Sequence, residues 1–180
     1  MDNDSVEVTK VSQNSGKIVD FAGDGIVVPC DTDLTYRKSN DVVRDVTANA
    51  GDKLSEELAA IGYCVIGNVV ITQGYNLKAK HLIFLPYTAR EDKSRRMNYV
   101  LLHQATRSIL SLASLYGLRT LAIPILNNLL SKRRNLIKGV VSKVIDTDED
   151  GNQISEAESI IEGIAKGFES ESLKEVIIYS

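Results

Sequence analysis

The chain has 180 residues, 43% of them hydrophobic and 25% charged, with a formal net charge of −3. This length and apolar content suit one domain with a substantial core, and the slightly acidic balance gives no global reason to expect nucleic acid. No window approaches the roughly 18 uninterrupted apolar residues of a membrane span. The acidic start Met1-Asp2-Asn3-Asp4 has no apolar segment behind it, so neither a span nor a signal peptide is expected.

Val6–Val11 alternates apolar and polar residues and predicts an edge or half-buried strand. Ser15-Gly16 turns it, and Lys17–Phe21 reads as a second extended piece. Gly23-Asp24-Gly25 punctuates the chain, and Ile26-Val27-Val28-Pro29 reads as a buried strand stopped by its proline. From Ser39 the period changes. Ser39, Asn40 or Asp41 suits the cap of a helix carrying Val42, Val43, Val46 and Ala50, which Gly51 ends. Leu54, Leu58 and Ile61 form a second helical piece closed by Gly62.

Val69, Val70 and Ile71 are a short β-branched run closing at Gly74, and Tyr75–Lys80 is a polar turn. Leu82–Leu85 is a second run, ended by Pro86. Runs of this kind suit strands buried on both faces. Asp92–Tyr116 is the longest helical window, with a stripe of Met97, Val100, Leu101, Ala105, Ile109, Leu112 and Leu115 and Gly117 in the C-terminal cap position. Thr120–Ile125 is another buried strand. Ser155 with Glu158 forms a capping box before Ile160, Ile161, Ile164 and Phe168. Val176–Tyr179 is a terminal strand. Strands alternating with helices predict an α/β protein, a mixed sheet between helical layers, and such sheets bind ligands outside the carboxyl ends of their strands.

Gly67, the triplet Val70-Ile71-Thr72, the tetrad Gly74-Tyr75-Asn76-Leu77 and Lys80 leading into Ile83 resemble the central segment of macro domains. The resemblance covers roughly Gly16 to Ile125 and resumes over Ser155–Tyr179. It implies one three-layer α/β/α macro-like domain over residues 1–180, with 134–154 as an insertion atypical of the family. It also implies a pocket for ADP-ribose or a related nucleotide, and no bound cofactor.

Several positions depart from the family pattern. Its first strand ends in a signature close to Asn-Ala-Ala-Asn. Here Val28 stands for the first asparagine and Asp31 for the second, which in the family contacts the distal ribose and in its hydrolases supports catalysis. Asp31 accepts hydrogen bonds but donates none when ionised, and it equally suits the cap of the following turn. The first phosphate loop falls on Ser39–Val42, where every glycine is gone and Asp41 adds a negative charge. The second follows Pro124 as Ile125–Ser131, without glycine or aromatic. Gly16-Lys17-Ile18 puts lysine where the family has the acid that reads adenine, and Asp24 is the alternative acid. The pocket residues implied are therefore Asp24, Ile26, Asp31, Asn40, Val42, Asn127, Asn128 and Ser131, with Asp31 also the candidate catalytic group.

Three readings follow. The first is a non-catalytic binding module for an ADP-ribose-like nucleotide or another anionic ligand. The second is an ADP-ribosyl hydrolase or related metabolite-processing enzyme. The third is a scaffold or homo-oligomer using Leu126, Leu129 and Leu130 as contacts. Lys132-Arg133-Arg134, with Lys138 near, forms a basic cluster able to meet phosphate or a nucleic-acid backbone, although no aromatic residues interleave with it. Asp146, Asp148, Asp150 and Gly151 match the start of a calcium loop, but Ala157 holds the position of its bidentate glutamate. An acidic hairpin turn explains the same residues without metal. His81 and His103 lack partners at zinc-ligand spacing. Cys30 and Cys64 read as packed thiols in a reduced compartment, and a cytoplasmic location is expected.

Overall fold

The computed structural model describes residues 10–34, 41–86, 95–124, 146–147, 153–154 and 156–179. In chain order the elements are β1 (Lys10–Asn14), a 3-10 turn (Ile18–Asp20), β2 (Gly25–Cys30), α1 (Asp41–Ala50), α2 (Asp52–Ile61), β3 (Val70–Gln73), β4 (His81–Pro86), α3 (Arg95–Leu115), β5 (Thr120–Pro124), β6 (Asp146–Thr147), β7 (Gln153–Ile154), α4 (Glu156–Lys166) and β8 (Glu175–Tyr179). Six strands form one sheet in the order β1-β8-β5-β2-β4-β3. All neighbours in it run parallel except β3, which lies antiparallel to β4 at one edge. The sheet is therefore mixed, as expected.

Strand alternation assigns each side chain to a layer. Ile26, Val28, Cys30, Leu82, Phe84, Ala122 and Ile177 point to one face, where Val46 and Ala50 of α1 and Leu54 and Leu58 of α2 cover them. Val27, Ile83, Leu85, Leu121, Ile123, Val176 and Ile178 point to the other face, beneath Leu102, Ile109 and Leu110 of α3 and Ile161 and Ala165 of α4. The result is three layers, α/β/α. Among the described residues, no helix is long and apolar enough to cross a membrane.

Two features set where an opening lies. β2 follows β4 along its full length, from Gly25↔His81 to Cys30↔Pro86. Against β5 it is bridged only at Gly25↔Leu121 and Ile26↔Ala122. Beyond Ile26 the two central strands part, and Pro29, which has no N–H to offer a ladder, lies in the separated stretch. The connection leaving β2 enters α1 on one face, whereas α4, which follows β5, packs on the other. Adjacent parallel strands whose connections diverge to opposite faces leave a crevice at their carboxyl ends.

Three expectations shift. The first strand is Lys10–Asn14 rather than Val6–Val11, of which residues 6–9 lie outside the described residues, and its register is set by pairing with β8. Lys17–Phe21 is not extended but holds a 3-10 turn whose Ile18 is buried. In α3 the buried stripe is Leu102, Ala105, Ile109, Leu110 and Ala113, while Val100 and Leu115 face outward.

The turn from β3 to β4 depends on close backbone approach. The Gly74 N–H donates to the Lys80 carbonyl at 2.8 Å, and the Asn76 N–H reaches Ala50 O at the α1–α2 junction at 3.3 Å. A Cβ built on Gly74 would lie 1.9 Å from the Ala79 carbonyl oxygen, which is backbone and cannot swing aside. Gly74→Ala is therefore expected to destabilise the fold by about 2–3 kcal/mol, measured as a lower urea midpoint at unchanged slope. Wild-type stability in that variant would show that the turn relaxes freely.

Candidate functional site

The parallel strands β2, β4, β5 and β8 end on one side of the molecule at Cys30, Pro86, Pro124 and Tyr179. Asp31 follows β2 directly, at the centre of that edge. Its carbonyl accepts from the Leu34 N–H at 2.9 Å, closing a tight turn, and the next carbonyl, of Thr32, accepts from the Cys64 N–H at 2.9 Å. Leu34 is buried and held at φ +61°, a left-handed conformation that costs a non-glycine residue about 1 kcal/mol. The turn is thus fixed from three sides. Within it, the Asp31 Oδ2 atom is buried and has no hydrogen-bond partner among the described residues. Native proteins leave few such atoms unmatched, because each costs on the order of 1–3 kcal/mol. A donor arriving at that oxygen recovers this penalty.

The neighbouring thiol is inert. Cys30 is buried, and desolvation, helped by the charges of Cys64, Asp31 and Asp33, pushes it up to about 12. Burial also raises Cys64. Both are free and buried, as packed thiols should be.

Tyr179 was read only as the end of a strand, yet it stands at the same edge as Asp31. It pairs in register with Pro124, two strands from β2, or about 10 Å at ordinary strand spacing. Phe21 meets it edge-on, with ring centroids 6.3 Å apart. Burial and then the charge of Asp20 raise its hydroxyl above the ordinary tyrosine value. Phe21 lies three residues beyond Ile18, so the sequence offers no spacing that joins the two rings. Only the return of β8 into the sheet brings them together.

Asp24 is placed elsewhere. It precedes β2 at the opposite end of the strand from Asp31, where its Oδ2 accepts from the Arg119 and Thr120 N–H groups at 2.8 and 3.1 Å. Lys80 Nζ is 3.3 Å from its Oδ1, and its own N–H donates to Thr120 Oγ1 at 3.0 Å. Burial pulls its pKa upward, but the hydrogen bonds from Arg119, Lys80 and Thr120 outweigh it and hold the carboxyl below its ordinary value. Ile26 is sealed within the sheet, with no exposed surface. The structure therefore does not bring Asp24 or Ile26 to the edge that carries Asp31. Val42, in the first turn of α1, is half-buried and packs against the α1/α2 layer. Asn40, Asn127, Asn128, Ser131, Lys132, Arg133, Arg134, Leu126, Leu129 and Leu130 lie outside the described residues, as do Asp148 and Asp150.

Asp146 belongs to β6, which pairs antiparallel with β7 through Asp146↔Ile154 and Thr147↔Gln153. These two short strands form a sheet of their own, and the acidic residues between them lie outside the described residues.

A mixed sheet between two helical layers, whose two central strands send their connections to opposite faces, is an α/β architecture of the kind that places ligand sites outside the carboxyl ends of its strands. The macro-domain family model matches residues 27–130, and the chain belongs to that family. A GDAP2 homolog from Drosophila melanogaster is 34% identical over 93 residues, 51% of this chain but 17% of the relative, so the chain spans about a sixth of that relative's length. Among solved structures, the macro domain of ganglioside induced differentiation associated protein 2 superposes with a TM-score of 0.69 at 21% identity, covering 94% of this chain and 76% of that one. The Trypanosoma brucei macrodomain in complex with ADP-ribose gives 0.65 at 21%, covering 99% and 68%.

Two outcomes follow from the geometry. Asp24 has a folded pKa below its unfolded one. Its stabilisation is therefore full above the ordinary carboxylate value of 3.8 and is lost as pH falls through the lower folded value. Asp24→Asn is expected to lose about 1–3 kcal/mol at pH 7, and urea melts repeated below pH 3 should show the gap closing. A gap that is constant with pH would mean the charge is irrelevant. Separately, at pH 8 a thiol of pKa about 12 is ionised only on the order of once in 10,000. Ellman's reagent should therefore leave Cys30 unmodified in the native protein and label it on unfolding.

Proposed function

We propose that this macro domain is a non-catalytic binding module for an ADP-ribose-like nucleotide, or another anionic ligand carrying vicinal hydroxyls. The reading rests on one observation, the buried and unpartnered Oδ2 of Asp31 at the carboxyl end of the central strand. A carboxylate there accepts the two hydroxyl donors of a ribose, and charge-assisted hydrogen bonds of this kind are among the stronger ones. Tyr179 ends β8 at the same edge, with its ring packed edge-on against Phe21. The complex of the Trypanosoma brucei relative with ADP-ribose makes that compound the natural first ligand to try.

Absence of catalysis is inferred from the site's own chemistry. The Asp31 carboxyl has no N–H to steer a water or a carbonyl where an asparagine would have one. Cys30 stays protonated at neutral pH and offers no thiolate.

Calorimetric titration with ADP-ribose is expected to show saturable one-site binding, weakened at least tenfold, or about 1.4 kcal/mol, by Asp31→Ala. Incubation with a mono-ADP-ribosylated peptide should release no ADP-ribose. No heat up to millimolar ligand overturns the ligand assignment. Release that disappears in Asp31→Ala overturns the non-catalytic one.

A further inference from the structure

The two ends of β2 carry acids that the chain treats in opposite ways. Asp24, at the amino end, receives two main-chain N–H groups and the ammonium of Lys80. Asp31, at the carboxyl end, has a buried Oδ2 with no donor among the described residues. The amides close to it are already spent. The Leu34 N–H goes to the Asp31 carbonyl, and the Cys64 N–H goes to the carbonyl of Thr32.

The surroundings add negative charge rather than remove it. Asp33 stands two residues on and exposed, and its charge acts with that of Asp31 on the Cys30 thiol. Asp20 acts in the same sense on Tyr179, which ends β8 at this edge. Two described cations follow strand ends on this side, Lys17 after β1 and Arg44 in the first turn of α1. Both are exposed, and Arg44 is already drawn to Asp45. A diol answers only half of this. Its hydroxyls give Oδ2 the donors that it lacks, yet the carboxylate keeps its charge beside the phosphates of the same ligand, and like charges at a partly buried place repel.

We infer that the sugar bound at Asp31 carries a cationic nitrogen on the carbon next to its diol, so that the ligand class is a dinucleotide N-glycoside of a positively charged base, taken in preference to free ADP-ribose. This rests on the reading of Asp31 as the acceptor for the ligand's diol. A hydroxyl bonded to Oδ2 brings that nitrogen within about 4–6 Å of the carboxylate, the distance at which an opposite charge acts strongly. At an effective dielectric of about 20, a unit charge there changes affinity by tenfold or more. The same cation offsets the diphosphate of its own molecule, so carboxylate and phosphates no longer oppose one another.

Three compounds sharing one dinucleotide frame test this by calorimetry on the full chain. ADP-ribose has no base on its terminal sugar. Oxidised nicotinamide adenine dinucleotide, NAD+, has a cationic base there, and NADH has a base of nearly the same size without the charge. NAD+ is expected to bind at least tenfold tighter than either of the others. Asp31→Asn keeps the size and one acceptor, and should erase the difference between NAD+ and NADH. The comparison on the unaltered chain decides the matter by itself if that variant fails to fold. Equal binding of NAD+ and NADH, or tighter binding of ADP-ribose, overturns the inference and leaves the diol reading in place. A dinucleotide docked by its other ribose gives that result, because its cation then lies far from Asp31. A preference for NAD+ that persists in Asp31→Asn also overturns it. No heat from any of the three up to millimolar concentration removes both.

Discussion

A single carboxylate, that of Asp24, ties three strands together at the closed end of the sheet. It receives two main-chain N–H groups where β5 begins and pairs with Lys80 just before β4, while its own backbone starts β2. The ladder between β2 and β5 covers only two residue pairs, both next to this clamp. Beyond them the strands diverge. The strands are held together at this end by Asp24, and the edge that carries Asp31 is the other one. Groups that act through the scaffold in this way leave no trace in a list of ligand contacts.

At the open end the chemistry is inverted. Asp24 is satisfied by donors from its own chain, whereas Asp31 has an oxygen buried without any among the described residues. The turn around Asp31 is nevertheless rigid, held by the Asp31–Leu34 and Thr32–Cys64 hydrogen bonds and by a buried leucine in a left-handed conformation. Local strain and an unmet acceptor therefore meet in one short turn. The inert Cys30 beneath it seals the floor without adding reactivity.

The scaffold was legible because its signals are local. Short β-branched runs bounded by glycine or proline identified β2, β3, β4 and β5, and Gly62, whose N–H reaches Leu58 O at 2.9 Å, ended α2 where expected. The site was less so. Asp24 entered only as the alternative to Lys17 for the family's adenine-reading acid, although it precedes β2 and such sheets bind ligands at the carboxyl ends of their strands; its partners Arg119 and Lys80 fix it at the other end. Tyr179 left no signal, since its neighbour Phe21 lies at the other extreme of the sequence. The stripe of α3 was misjudged because Leu, Ile, Val and Ala populate most of its circumference. Amphipathic periodicity then stops discriminating, and packing against β4 and α4 chooses the buried side.

The last strand does not sit at the edge of the sheet but inside it, between β1 and β5. Ser12 on β1 meets Glu175 on β8 across 163 residues of chain. During synthesis, β1 therefore emerges early and waits without a neighbour until nearly all of the domain has been made. Loop-closure entropy sets a high kinetic cost on that final insertion, and the half-built sheet exposes the inner edge of β5 in the meantime. A chain interrupted before Glu175 would lose two strands rather than one. This makes completion of the sheet close to an all-or-none event.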